Sequence, residues 1–226
     1  MRMNNFGKAV CVLDTCSIIN LDEIILGRED ILRYVRCDFD VHVSEVVPIE
    51  FVRHRSKMHS REASYWERFL NTRIQRNEIL CSDEDALSHF HCSPPVFGGT
   101  DNAGEYANAR LAMELLMTRK AGQVIFVTDD EKACNAFLRR LCESFPGIIL
   151  WTSLDVVFYV SGVLMMRGKI GVGEVEDALR DVVASAREWL DLSAQEKSNL
   201  VKRREEARRR LQALNAVAKV WRNSNV

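Results

Sequence analysis

The stretch "QVIFVTDDEKA", residues 123–133, is a run of apolar and β-branched residues that ends on two acids. A short continuous apolar run bounded by polar residues indicates a strand buried on both faces of a sheet. We therefore predict a strand at Gln123–Thr128, followed at once by Asp129 and Asp130. Because strands buried on both faces are typical of parallel sheets, this stretch favours an α/β fold.

Three further apolar runs predict the rest of the sheet: Lys8–Leu13, Asp40–Val43 and Ile148–Trp151. Helical patterns separate and follow these runs, at residues 29–37, 46–72, 102–119, 131–144 and 153–166. Strands that alternate with helices are joined by right-handed crossovers, which produce a parallel sheet covered on both faces. We thus predict a three-layer α/β/α domain over residues 1–170, in which residues 71–99 form an irregular surface excursion.

The remaining residues, 171–226, predict a C-terminal helical extension with helices at residues 171–190 and 193–222. The second helix has a narrow apolar seam at three- and four-residue steps, formed by Leu200, Ala207, Leu211, Leu214, Ala218 and Trp221. Arg204 interrupts this seam. Such a seam packs against the protein body or against another helix. The segment Lys197–Arg222 is also basic, with nine Lys or Arg against two Glu in a chain of net charge -1.

The composition argues against a membrane or secreted protein. The best apolar helix, Val156–Met166, is shorter than the eighteen or so residues that a membrane span needs. Asp14 interrupts the apolar stretch near the N-terminus and no small-residue cleavage site follows, so we expect no signal peptide. Seven cysteines without a regular spacing indicate reduced thiols, and we expect a cytoplasmic protein.

Acidic residues follow the strands at one edge of the predicted sheet. Asp14 ends the first strand, and Glu50 lies beyond Ser44 at the end of the second. In an open parallel sheet, ligands bind in the crevice outside the carboxyl ends of the strands. Two carboxylates about 4 Å apart repel by roughly 4 kcal/mol at an effective dielectric near 20, so converging acids need a compensating charge. Oxygen ligands without a nearby Cys/His set select Mg2+ or Mn2+ over zinc.

Glu105 has a second interpretation. In "FGGTDNAGEYANARLA", residues 97–112, Asn102 can be the N-cap of a helix and Glu105 its third residue. This is the arrangement of a capping box, which satisfies the first N–H groups of a helix. Both roles stay open, because an acid in the first turn also points off the edge of the sheet.

Four segments in chain order resemble the successive acidic motifs of PIN-domain nucleases. They are "VLDTCSIINL", "VSEVVPIEF", "GGTDNAGEYANARLA" and "VIFVTDDEKA". The resemblance covers about residues 8–165. It implies a PIN-like α/β/α fold and a Mg2+- or Mn2+-dependent cleavage of RNA, less often of DNA.

The resemblance assigns one catalytic, metal-binding acid to each motif: Asp14, Glu50, Glu105 and Asp130. Many members carry Asp at the third site, so Asp101 stays a candidate ligand beside Glu105, and Asp129 stays one beside Asp130. Short hydroxyl residues next to the acids are candidates for substrate binding: Thr15, Ser17 and Thr128. Basic residues follow Glu50, and we expect a solvated helix face there with phosphate contact as the alternative: Arg53, Arg55 and Lys57.

The sequence therefore predicts a metal-dependent ribonuclease whose products, by resemblance, carry a 5′-phosphate and a 3′-hydroxyl. Many small PIN proteins are bacterial toxins or defence effectors, so an inhibitory protein partner or a homodimer through the C-terminal helices is expected. Two alternatives stay open. A haloacid-dehalogenase-like phosphatase also has an Asp after its first strand, but it needs a second Asp where this chain has Cys16. A non-catalytic scaffold would bind nucleic acid or a partner without cleavage.

Overall fold

The computed structural model describes residues 9–22, 24–44, 46–47, 80–81, 103–118, 121–129, 137–184 and 194–224. Within these ranges there are seven strands: β1 (Ala9–Leu13), β2 (Ile25–Leu26), β3 (Glu29–Asp30), β4 (Phe39–Val43), β5 (Leu80–Cys81), β6 (Val124–Val127) and β7 (Ile148–Trp151). The same ranges contain seven helices: α1 (Thr15–Asp22), α2 (Ile31–Asp38), α3 (Ala103–Met117), α4 (Phe137–Ser144), α5 (Ser153–Met166), α6 (Val172–Ala184) and α7 (Ala194–Ser224).

Five of the strands form one parallel sheet in the order β5-β4-β1-β6-β7. The prediction of an α/β fold with a central parallel sheet is confirmed, and each of the four predicted strands lies within one residue of its predicted bounds. The two-residue strand β5 falls inside residues 71–99, which the sequence indicated as an irregular excursion. That part of the prediction is wrong at β5, because a strand of two residues is too short to show a periodic pattern.

The centre of the sheet is buried on both faces. In β1, Val10 and Val12 point to one face while Cys11 and Leu13 point to the other, and all four are at most 3% exposed. Side chains from α3 and α4 cover the first of these faces and form one core with β1, β6 and β7. Alanines such as Ala109 and Ala112 face this core, where small side chains let a helix lie close to a sheet.

The chain divides into two compact units. One comprises Met1–Ile19 with Asp38–Trp151 and contains the parallel sheet with α3 and α4. The other comprises Asn20–Cys37 with Thr152–Val226 and contains α2, the short β2–β3 hairpin and helices α5 to α7. The division of the sequence into a domain at 1–170 and an extension at 171–226 stays a prediction.

The second unit is built from helices α5, α6 and α7, which pack against one another. Thr152 caps α5: its side chain accepts from the Asp155 N–H, and the Asp155 carboxylate accepts in return from the Thr152 N–H at 2.9 Å. The hairpin turns at Gly27, whose φ of 67° lies in the left-handed region that glycine adopts without strain. Helix α7 runs for 31 residues, and among the described residues no helix is both long and apolar enough to cross a membrane.

The apolar seam of α7 is confirmed along most of its described length. Ala207, Leu211 and Ala218 are each at most 4% exposed. Trp221 differs from the prediction, because 54% of this residue is exposed. Val217 and Val220 are exposed as well, so the end of α7 presents apolar side chains to solvent rather than burying them.

Arg210 links α7 to α5 in two ways. Its guanidinium donates to Asp155 Oδ1 at 2.7 Å and lies 4.3 Å from the centre of the Phe158 ring. We expect Arg210→Lys to lower the free energy of unfolding by about 1 kcal/mol, because an ammonium group cannot keep both the planar contact and the hydrogen bond. Urea unfolding measures this change.

The matched control is Arg209→Lys, whose partner Glu206 is 53% exposed. An exposed ion pair contributes little, so this substitution should change the unfolding free energy by less than about 0.5 kcal/mol. Equal effects of the two substitutions would contradict the role given to Arg210.

Candidate active site

A row of polar residues lies at the carboxyl edge of the sheet. Strand β1 pairs with β4 at Val12↔His42 and with β6 at Leu13↔Val127. Continuing both registers past the strand ends places Asp14 between Ser44 on one side and Thr128 on the other. The Asp14 N–H donates to the Val127 carbonyl at 3.2 Å, so the pairing of β1 with β6 does extend to Asp14. We call Ser44, Asp14 and Thr128 the carboxyl-edge row.

Asp14 is the central member of this row and is 5% exposed. Its Oδ1 accepts a hydrogen bond from the Ser17 N–H at 2.6 Å, and its carbonyl accepts from the Ile18 N–H at 3.1 Å. Asp14 therefore occupies the N-cap position of α1, which begins at Thr15. Capping alone does not require a carboxyl group, because Ser, Thr or Asn caps a helix without placing a charge in the interior.

Burial raises the pKa of Asp14 to about 7, since the ionised carboxylate is deprived of water. Hydrogen bonds from Ser17 and Thr128 oppose this rise, and the charge of Asp129 adds to it. The Ser17 hydroxyl is close enough to lower the pKa, although it makes no well-aligned hydrogen bond among the described residues. Near pH 7, the Asp14 carboxyl of the folded chain is thus about half protonated. Such an acid is typical of a site that exchanges a proton or binds a cation.

Asp129 is the second acid of this edge for which a side chain is described. It follows Thr128 directly, is partly buried, and acts electrostatically on Asp14. The structure therefore brings together two of the predicted acids, and the predicted hydroxyl residues lie beside them. Thr15, Ser17 and Thr128 are all buried, at 6%, 0% and 0% exposure.

The other predicted site residues lie outside the described residues: Glu50, Arg53, Arg55, Lys57, Asp101 and Asp130. Glu105 is described only as a backbone position in the first turn of α3. Residue 105 precedes Asn108 by three positions and so shares its face of the helix. Among the residues described, no group of three His, Cys, Asp or Glu side chains could hold a metal ion.

Asn108 ties α3 to the carboxyl-edge row, and the sequence did not indicate it as a site residue. Its Oδ1 accepts from the Ser44 N–H at 3.1 Å, and the whole residue is buried. Three polar groups at this edge are buried with no hydrogen-bond partner among the described residues: the Ser17 hydroxyl, the Ser44 hydroxyl and Asn108 Nδ2. Because buried polar groups are usually paired, these donors indicate that the edge is built to contact further polar groups.

Removing Asn108 should destabilise the protein. We expect Asn108→Ala to lower the free energy of unfolding by about 1–3 kcal/mol, because it leaves the buried Ser44 N–H without its acceptor. Ser44→Ala is the control, since it removes only a hydroxyl that has no partner among the residues described. In urea unfolding, Ser44→Ala should lower the free energy of unfolding by less than about 0.5 kcal/mol. A larger loss for Ser44→Ala than for Asn108→Ala would contradict the hydrogen bond from the Ser44 N–H to Asn108.

No protein-family model matches this chain, and no curated protein or solved structure is significantly similar to it. The resemblance to PIN-domain nucleases therefore stays a prediction from its four motifs. Functional assignments at the carboxyl edge depend on the chemistry of the side chains that meet there.

Proposed function

We propose that this protein is a metal-dependent nuclease of the PIN type that hydrolyses RNA. The observation that supports the proposal is the buried carboxyl of Asp14 at the carboxyl edge of a parallel sheet, with its pKa raised to about 7 beside a second acid. Perturbed acids in such positions occur most often at functional sites. A PIN-like three-layer α/β/α arrangement with a C-terminal helical extension is part of the same proposal.

The residues at this edge suit Mg2+ or Mn2+. Asp14 and Asp129 provide carboxylate oxygens, Thr15, Ser17 and Thr128 provide hydroxyls, and these hard oxygen ligands are the type that both ions prefer. A divalent charge would offset the repulsion between the two acids and favour the ionised form of Asp14. The proposed ligands come from the four motifs: Asp14, Glu50, Glu105 and Asp130, with Asp129 and Asp101 as further candidates.

The described neighbours of Asp14 would orient its carboxylate for metal binding. The Ser17 N–H and the Thr128 hydroxyl hold its carboxylate in one orientation, so little reorganisation is needed when it ionises. The Ser17 hydroxyl is buried and available to donate to a carboxylate or a phosphate oxygen. Bound Mg2+ or Mn2+ would lower the pKa of a water molecule and stabilise the charge on a scissile phosphate.

The proposal extends to partners and setting. RNA is the expected substrate, with DNA as the less favoured one, and Arg53, Arg55 and Lys57 are proposed contacts to its phosphates. An inhibitory protein partner or a homodimer through the C-terminal helices would fit a cytoplasmic toxin or defence effector.

The non-catalytic alternative has one specific observation in its favour. Asp14 caps α1, and in a scaffold that binds without cleavage this capping would be the whole role of Asp14. The phosphatase alternative has no comparable support, because the position two residues after Asp14 is the exposed thiol of Cys16. Activity that depends on the acid itself separates the nuclease from the scaffold.

An RNA cleavage assay tests the proposed function. The full chain is incubated with labelled single-stranded RNA in Mn2+ or in EDTA, beside the variants Asp130→Asn and Asp40→Asn. We expect cleavage in Mn2+ that EDTA stops and that Asp130→Asn lowers by about 10²-fold or more. Asp40→Asn, at an exposed acid on β4, is the matched control and should cleave RNA as fast as the wild type. Cleavage that continues in EDTA, or that Asp130→Asn leaves intact, would contradict the metal-dependent mechanism.

A further inference from the structure

The C-terminal half of α7 has an exposed apolar face within the second compact unit. Val217 and Val220 are 58% and 66% exposed, and Ala213, one turn before Val217, is exposed as well. Steps of four and three positions place these three residues on one side of a helix, and we call them the α7 apolar face. Of the six large apolar residues that are exposed among the described ones, three lie within residues 217–221. Apolar exposure concentrated in this way is typical of an interaction site.

The α7 apolar face is separate from the side through which α7 packs on α5. Arg210 donates to Asp155 of α5, and a Cβ on Gly162 of α5 would lie 3.1 Å from Leu214 Cδ1. Ala218, one turn beyond Leu214, is fully buried. At about 100° per residue, this packing side and the α7 apolar face are turned from each other by roughly 90°. Packing within the unit therefore leaves the α7 apolar face exposed.

The α7 apolar face carries no charge, although the helix is basic. Towards the N-terminus the same side continues with Glu206 and Arg209, which pair with each other at 2.9 Å, and towards the C-terminus it continues with Ser224. The two cations of this half of the helix, Lys219 and Arg222, lie on other sides of it. In a two-fold pair the same patch meets itself, so a charged face would repel its copy. The uncharged face therefore suits a second copy of this chain, whereas a partner selected by its acidity would bind the basic half of the helix.

An antiparallel pair of α7 helices fits the face and separates the cations. Val217 of one copy then meets Val220 of the other, and Ala213 meets Ser224, because the residue numbers increase in opposite directions along the two helices. The basic segment Lys202–Arg210 of each copy lies beyond Ser224 of the other copy in this arrangement. A parallel pair would place the two basic segments side by side, where like charges repel.

We propose that two copies of this chain associate through their α7 apolar faces as an antiparallel two-fold pair. Residues 213–224 span only about 16 Å of helix, so the area buried per copy falls below the roughly 800 Å² of a standard interface. We therefore expect a concentration-dependent dimer with a Kd of about 10–100 µM. This proposal selects the homodimer over the inhibitory partner named with the proposed function, and it does not depend on RNA cleavage.

Sedimentation equilibrium of the full chain tests the pairing at about 5 to 300 µM, a range that brackets the expected Kd. The wild-type mass should rise from the chain mass of 25.9 kDa towards twice that value as the concentration increases. Val217→Glu should raise the Kd at least about tenfold, because it places a carboxylate against Val220 of the other copy. Urea unfolding should show little change, since Val217 is exposed in the single chain.

The matched control is Val201→Glu, the same substitution at a valine of α7 that is 45% exposed and lies outside the α7 apolar face. It should change the Kd by less than about twofold, because an exposed charge away from the contact is screened by salt. Equal effects of Val217→Glu and Val201→Glu would overturn the assignment of the face. A wild type that keeps the mass of one chain up to the highest concentration would leave the face to a different partner and overturn the proposal, whether or not any variant folds.

A charge exchange tests the antiparallel arrangement. Val217→Lys and Val220→Glu should each weaken self-association at least about tenfold, and an equimolar mixture of the two variants should dimerise at least about fivefold more tightly than either alone. The gain arises because the ammonium group of one copy faces the carboxylate of the other. In a parallel pair position 217 meets position 217, so a mixture that associates no more tightly than its components would overturn the arrangement.

These measurements contain no RNA, so they separate this inference from the proposed function. A wild type that dimerises through the α7 apolar face but never cleaves RNA would support the inference and contradict the nuclease. RNA cleavage by a chain that stays monomeric would support the nuclease and contradict the pairing.

Discussion

Asp14→Asn is expected to lower RNA cleavage by about 10²–10³-fold and, at the same time, to stabilise the metal-free protein at pH 8 by about 4 kcal/mol. The loss of activity follows from the proposed role of the ionised carboxylate in holding the cation. The gain in stability follows from the pKa of the same group. Asn keeps the oxygen that caps α1 but cannot ionise.

The sign of the stability change follows from proton linkage. The pKa of Asp14 is 3.8 in its ordinary state and about 7 in the fold. Between these values the folded chain keeps a proton that the unfolded chain has lost, so the folded state loses stability as the pH rises from about 4 to about 7. Three pKa units correspond to about 4 kcal/mol, which is the penalty that Asn avoids at pH 8.

Urea unfolding in EDTA at pH 4 and pH 8 measures this effect. The wild type and Asp14→Asn should be nearly equally stable at pH 4, and the variant should be the more stable protein at pH 8. Asp40→Asn, at an exposed site on β4, should follow the wild type at both values. A variant less stable than the wild type at pH 8 would show that the ionised carboxylate stabilises the fold, as a purely structural cap would.

Phe126→Ala is expected to lower the free energy of unfolding by about 3–5 kcal/mol. Phe126 is fully buried on β6, an interior strand of the sheet, in the core that α3 and α4 form with the sheet. Truncating it removes the transfer energy of the ring and leaves a cavity that a close-packed core fills only partly. Phe126→Leu should lose about 1–2 kcal/mol, because it retains most of the apolar volume.

Thermal and urea unfolding at pH 7 measure the loss. Met117→Ala in α3 is the surface control, because this residue is 72% exposed and its truncation should change stability by less than about 0.5 kcal/mol. A loss below 1 kcal/mol for Phe126→Ala would contradict the burial of Phe126 in this core.

The sequence predicted the main strands of the sheet because each is a continuous apolar run bounded by polar residues. It did not predict α1, since this helix has only eight residues, too few to show a clear helical period. The hairpin formed by β2 and β3 was missed for a related reason: its strands have two residues each and show no period.

At the candidate site, the strand ends indicated Asp14, Ser17 and Thr128, because the topology of a parallel sheet brings these positions to one edge. The part played by Asn108 could not be predicted. It consists of one hydrogen bond to Ser44, a residue 64 positions away, and only tertiary structure creates that contact. The raised pKa of Asp14 also arises from burial by distant segments, which local sequence does not show.

In helix α7, both the buried positions and one exposed position follow from the sequence pattern. Its buried seam follows from the spacing of Ala207, Leu211 and Ala218. Arg204 interrupts that spacing in the sequence, and in the structure it is exposed beside α6. A break in a periodic pattern thus marked a position where the helix presents a charge rather than packs.

The most direct test of the metal site is the number of protons that Mn2+ displaces. Titration calorimetry at pH 6 in two buffers of different ionisation enthalpy gives this number. At that pH about nine-tenths of Asp14 is protonated, given its pKa of about 7, so binding of Mn2+ at this carboxylate should release at least about 0.9 proton. At pH 8.5 the Asp14 contribution should be near zero, and Asp14→Asn should bind Mn2+ far more weakly. Mn2+ that binds at pH 6 without releasing a proton, or that binds Asp14→Asn as tightly as the wild type, would contradict the account.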